Sequence, residues 1–233
     1  MLTVRKSCDR GHADHGWLRS CHSFSFAGYR DARYMGFGNL RVLNEDWIAP
    51  GTGFGMHRDR DVEIVSYMLS GRLAYRDCRG RACSIPAGDV LRIGAGTGIS
   101  HGEVNEGAAQ AAHFLQIRIA PCRLGVEPQL EQVHVPDSDK RGRLHILAAP
   151  RAVPGALTLN ADARIHAGLF DGEDAAELPL DPARKCYVHM VRGALVVNGH
   201  PLSHGDAVFM EQESLLSVSG GSAAEVLVLD LAA

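Results

Sequence analysis

The stretch Tyr67-Met68-Leu69-Ser70-Gly71-Arg72-Leu73 decides the fold. An apolar run stops at a Ser-Gly pair and resumes two residues later, which reads as a strand, a glycine turn and a returning strand. The same pattern recurs as His189-Met190-Val191-Arg192-Gly193-Ala194-Leu195. A second glycine turn follows each copy, in Pro86-Ala87-Gly88-Asp89-Val90 and in His204-Gly205-Asp206-Ala207-Val208. Glycine there is expected at positive φ, with the aspartate capping the turn. Two copies of one β unit in 233 residues predict an all-β chain built as a duplicated barrel.

The rest of the chain agrees with that class. Short apolar runs dominate, at Leu40–Leu43, His113–Ile119, Ala194–Val197 and Val226–Leu229, with Gly, Asp and Asn between them. Long patterns of helical period are scarce, so many short strands in a sandwich or barrel are expected. Residues 121–160 carry five of the ten prolines (Pro121, Pro128, Pro136, Pro150 and Pro154) and read as the join between halves. The expected division is residues 1–130 and 131–233. Asp137–Arg143 reads as an exposed turn.

Composition narrows the function classes. A net charge of −3 gives no reason to expect nucleic acid as a partner. The six cysteines include no CxxC pair, against a zinc ribbon or thioredoxin-type site. No run is apolar enough for a signal peptide or a membrane span. The expectation is a soluble cytoplasmic protein with reduced thiols and no membrane partner.

The chemistry concentrates in His57-Arg58-Asp59 and His101-Gly102-Glu103. Residues two apart on a strand share a face, so each triplet presents an imidazole and a carboxylate together. Facing strands would bring four donors to one point, a set suited to a divalent transition metal. His57, Asp59, His101 and Glu103 are therefore the candidate metal ligands, and Glu103 is also the candidate general base. Asp59 is shorter than an imidazole and has a second reading, an ion pair with Arg58, Arg60 or another cation. Glu63 is expected to orient a histidine through a hydrogen bond, and Asp61 to bond backbone at a strand bend. Phe37, Phe54, Met56 and Phe114 read as barrel core or as the wall of a pocket. His12, His15 and His22 read as hydrogen-bonding residues of the N-terminal segment. His189, His200 and His204 lack a partnered motif, so the second barrel is expected to hold no metal.

The motif text resembles the pirin family, bicupins that include quercetin 2,3-dioxygenase-like bacterial members. It runs through Arg10-Gly11-His12-Ala13-Asp14-His15-Gly16-Trp17-Leu18, His22-Ser23-Phe24-Ser25-Phe26 and Gly53-Phe54-Gly55-Met56-His57. It continues through Pro86-Ala87-Gly88-Asp89 and Gly94-Ala95-Gly96-Thr97-Gly98-Ile99-Ser100-His101-Gly102-Glu103. The resemblance implies two tandem cupin barrels of jelly-roll type, with one metal in the first. His57, His101 and Glu103 match family ligand positions, and Asp59 stands where the family has a second histidine. It also implies a metal-dependent oxidoreductase, a dioxygenase acting on a flavonol or similar phenolic. Fe(II) is the first choice of metal, with Mn, Ni or Zn as alternatives. Two other readings stay open, a redox- or metal-sensing regulator with a protein partner and a purely structural bicupin. Duplication satisfies the pairing of barrels within one chain, so a monomer is expected.

Overall fold

The computed structural model describes residues 1–233, almost entirely as strands and turns. The first half contains β1 (Leu2–Arg5), β2 (Gly11–Asp14), β3 (Leu18–His22), β4 (Leu40–Ile48), β5 (Gly53–Asp59) and β6 (Glu63–Ser70). It continues with β7 (Arg72–Asp77), β8 (Ala82–Pro86), β9 (Asp89–Gly94), β10 (Ile99–Val104), β11 (Ala112–Ile119) and β12 (Gln129–His134). After the short helix α1 (Asp137–Lys140) come β13 (His145–Ala149), β14 (Leu157–Thr158), β15 (Ala163–Phe170) and β16 (Ala176–Pro179). The chain ends with β17 (Lys185–Val197), β18 (His200–Ser203), β19 (Ala207–Glu211) and β20 (Leu215–Leu231).

One sheet runs β12-β9-β6-β11-β4-β3-β2, and a smaller sheet β5-β10-β7-β8 closes the first barrel over it. The second barrel's main sheet runs β1-β19-β17-β20-β15-β13-β14, and its central strands β19-β17-β20-β15 repeat the order of β9-β6-β11-β4. Its long strands β17 and β20 bend onward to pair with β18 and β16. The repeat is therefore real. Tyr67 sits opposite Leu115 in one sheet, and His189 opposite Leu227 in the other. The matching turn glycines share left-handed φ, 73° at Gly71 and 70° at Gly193, 86° at Gly88 and 78° at Gly205. At Gly193 a Cβ would also lie 2.3 Å from the Ala223 carbonyl oxygen, so only glycine fits.

The two halves are laced together. β1, the first strand of the chain, pairs with β19 of the far barrel. The division expected at residues 130 and 131 falls within β12, which pairs back onto β9. Strand alternation then sorts the side chains. Val188 and Met190 turn into the second barrel, which is filled by buried apolar residues that include Val208, Val226 and Val228. Tyr187 and Val191 turn outward into a core shared with Leu43, Tyr67 and Leu115 of the first half.

The side chains read as core or pocket wall divide between the two. Phe37 belongs to the core between barrels, with its ring 5.0 Å from that of Phe209. Phe114 is fully buried in the first barrel's core, and Met56 is exposed. The Asp137–Arg143 segment is more than a surface turn. It places a buried Lys140 whose Nζ donates to the Tyr67 hydroxyl at 2.8 Å and pairs with Glu225. A cation can be buried there because its carboxylate and hydroxyl partners are buried with it. No helix is long and apolar enough to cross a membrane, and all six cysteines are free.

His189 gives the shared core an acid-sensitive point. It is fully buried and neither ring nitrogen has a partner. Burial holds its pKa down at about 3, with the Arg10 charge acting in the same direction. Below about 6.5 the unfolded chain takes up a proton that the folded chain refuses, so stability falls as pH drops from there towards 3. The contribution lost between pH 7 and pH 5 is about 2 kcal/mol. His189→Leu should remove most of that loss. Urea denaturation of both proteins at the two pH values checks it, and an unchanged pH dependence would refute it.

Candidate metal centre

The centre is built on two facing strands. β5 and β10 pair antiparallel with His57 directly opposite His101, and a bulge between His101 and Glu103 shifts the register. Gly53 allows the close approach, since a Cβ there would lie 2.2 Å from the Glu103 carbonyl oxygen. The His57 and His101 rings come within 4.4 Å of each other, centroid to centroid. Asp59 Oδ2 lies 3.1 Å from His101 Nε2 and 3.4 Å from His57 Nε2. The donor atoms of His57, Asp59 and His101 all lie within 4.8 Å of one another, close enough to share one ion.

The surroundings fix the donors. His57 Nδ1 donates to the Gly55 carbonyl at 2.9 Å, which leaves Nε2 free to face the cluster. Tyr75 stacks on His101, and its hydroxyl donates to Asp77 at 2.9 Å. Glu103 is fully buried, and neither carboxylate oxygen has a hydrogen-bond partner. An unpartnered buried carboxylate is costly unless a cation completes it. The His57, Asp59 and His101 donors therefore fit a divalent ion, while Glu103 stands outside the trio whose donor atoms lie within 4.8 Å of one another.

Electrostatics separate the two carboxylates. Burial raises the pKa of Glu103, opposed by the charges of His101 and His57. Burial would raise Asp59 too, but hydrogen bonds from His101, His57 and Arg118 hold it far below the usual carboxylate range. The Asp59 hydrogen bond in turn raises the pKa of His57.

His57 and Arg118 also face a cavity of about 520 Å³ in the mouth of the first barrel. Its walls include His12, His15 and His22, for which the sequence alone suggests only structural hydrogen bonds in the N-terminal segment. The hairpin of β2 and β3 carries them there by pairing its second strand with β4. Phe26 and Phe54 supply apolar wall. Asp46 lines the floor and accepts a hydrogen bond from the Ser20 hydroxyl. Burial lifts its pKa to about 7, with the charges of Glu103 and Glu45 adding to the rise. Strand parity was the available signal for Asp46, because Asn44 and Asp46 alternate with the outward Leu43 and Glu45.

Two neighbouring acids behave differently. Asp61 meets its expectation. It sits at the bend after β5 with φ 48°, and its Oδ1 accepts the Gly125 N–H at 2.7 Å. Glu63 does not orient a histidine. Its carboxylate is paired at 2.7 Å with the buried Arg92 of the neighbouring strand β9.

Two cupin-type barrels with a histidine and carboxylate cluster in the first define a bicupin of the metal-binding class. Residues 2–119 match the Pirin family profile, and residues 146–231 match the Quercetinase C-terminal cupin domain. The chain belongs to the pirin family. It is 36% identical over 231 residues to quercetin 2,3-dioxygenase of Escherichia coli K12, covering 99% of each chain. It is 34% identical over 230 residues to a pirin-like protein of Caulobacter vibrioides, covering 98% of this chain and 99% of that one. The crystal structure of the Escherichia coli bacterial pirin YhhW in complex with nickel(II) superimposes with a TM-score of 0.94 at 35% identity, covering 100% of this chain and 99% of that one.

Proposed function

We propose that the protein is a mononuclear metal-dependent dioxygenase of a flavonol or similar phenolic, with His57, Asp59, His101 and Glu103 as ligands. The observation that carries this reading is the buried, unpartnered Glu103 carboxylate beside the His57-Asp59-His101 cluster. Fe(II) is the proposed native metal, with Mn, Ni and Zn as competitors that differ in affinity and supply. The metal site is assigned to the first barrel, the second barrel holds none, and the chain works in the cytoplasm as a monomer.

When bound, the metal supplies a Lewis acid and a template for a chelating phenolic. The remaining tasks fall to side chains. Glu103 takes the phenolic proton, since burial gives it a high proton affinity. Phe26 and Phe54 pack against the aromatic body, and Asn44 and Gln116 offer hydrogen bonds to peripheral hydroxyls. The relative named quercetin 2,3-dioxygenase supports this substrate class.

Oxygen uptake tests the proposal. Protein loaded anaerobically with Fe(II) should consume O2 on adding quercetin, and His101→Ala should fall to the buffer rate. Metal retention without O2 uptake on any flavonol would sink the enzyme reading and favour a regulator that acts on a protein partner.

A further inference from the structure

We propose that Arg118 is the positioning residue that lets Asp59 serve the metal centre. This inference rests on the ligand assignment just proposed. The Asp59 carboxylate divides its two oxygens. Oδ2 faces both imidazole Nε2 atoms, at 3.1 and 3.4 Å, while Oδ1 accepts from Arg118 Nη1 at 2.8 Å. Arg118 Nη2 reaches back to Oδ2 at 3.3 Å, so the guanidinium grips the carboxylate in a fork. The nearer cations do not compete. Arg60 pairs with Asp61, and the Arg58 guanidinium packs beside Gly98.

Reach and charge both require such a partner. A carboxylate is shorter than an imidazole and turns easily about its last torsion. The fork fixes its plane and leaves Oδ2 aimed at the imidazoles. Arg118 is itself held. It lies on β11 with its guanidinium over the Phe26 ring at 5.9 Å and its Nε 3.4 Å from Gln116 Oε1. An Asp59–Arg118 pair also carries the same formal charge as one neutral histidine. The pair thus adds no net charge to the site of His57, His101 and Glu103.

The alternative role for a cation here is repulsion of the metal, and the two roles predict opposite signs. Mn(II) binding by isothermal titration calorimetry separates them. For a positioning residue, Arg118→Met should weaken Mn(II) binding by about 10- to 100-fold, the usual effect of losing a group that orients a ligand. Arg118→Lys should recover part of this, since it keeps the charge and loses the fork. Adding Arg118→Met to Asp59→Asn or to Asp59→His should cause no further weakening, because no carboxylate is left to aim. Tighter binding by Arg118→Met, or an equal loss in the Asp59→Asn background, would overturn the inference. If wild-type protein takes no Mn(II), or Asp59→Asn binds as wild type does, the ligand assignment fails and this inference with it. If Asp59→Asn weakens binding and Arg118→Met does not, only the role of Arg118 fails. Matching circular dichroism spectra confirm that each variant is folded.

Discussion

His101→Ala should abolish metal retention and, with it, the stabilisation that the metal gives the fold. His101 is fully buried, and its Nε2 points at the Asp59 oxygen that also faces His57. Its loss leaves a void in place of one donor. Changes to groups that merely orient a ligand cost about 10- to 100-fold in affinity, so loss of a ligand should cost at least about 100-fold. A ligand at 100 times its Kd stabilises the folded state by about 2.7 kcal/mol, so the loss should be visible in melting curves. Mn(II) or Fe(II) should raise the Tm of the wild-type protein and leave that of His101→Ala where it was. An equal rise in the variant would show that the ion binds elsewhere and would remove His101 from the ligand set.

The meeting of His57, Asp59 and His101 was legible because strand geometry puts residues two apart on one face and β5 faces β10, whereas the bulge between His101 and Glu103 breaks that register for Glu103. The duplicated barrel was legible for a similar reason, since left-handed turns at Gly71 and Gly193 leave their mark in local sequence. Partners that are remote in sequence were not. Arg118 reaches Asp59 across 59 residues, so the sequence left it as an unnamed other cation beside Arg58 and Arg60. The wall formed by His12, His15 and His22 depends on how β3 docks against β4, which a lone histidine does not reveal. The same applies to β1, whose four residues give no sign that they complete the sheet of the far barrel.

Glu63 shows how a correct residue type can be read into the wrong partnership, and it carries the largest expected effect on stability. Its spacing from Asp59 suggested a partner for a site histidine, but β6 lies beside β9, which presents Arg92. Arg92 and Glu63 are each about 1% exposed. Arg92 Nε donates to Glu63 at 2.7 Å, and its Nη1 donates at 2.9 Å to both Gln129 and Glu131 of β12. The Asn160 and Thr158 N–H groups close the network from the second half, onto Glu63 and Glu131. Arg92→Met leaves the Glu63 carboxylate buried with one backbone donor, so it should destabilise the protein by about 3–5 kcal/mol. Removing both charges should cost far less, because a buried ion pair replaced by apolar side chains of similar volume is often near neutral. Urea denaturation of Arg92→Met and of Arg92→Met/Glu63→Met decides it. The second protein should be the more stable of the two, and a double variant as weak as the single would mean that packing, not the stranded charge, sets the cost. Both variants should still bind Mn(II) as wild type does, because Glu63 spends its hydrogen bonds on Arg92 and Asn160 and makes none to the histidines of the metal centre.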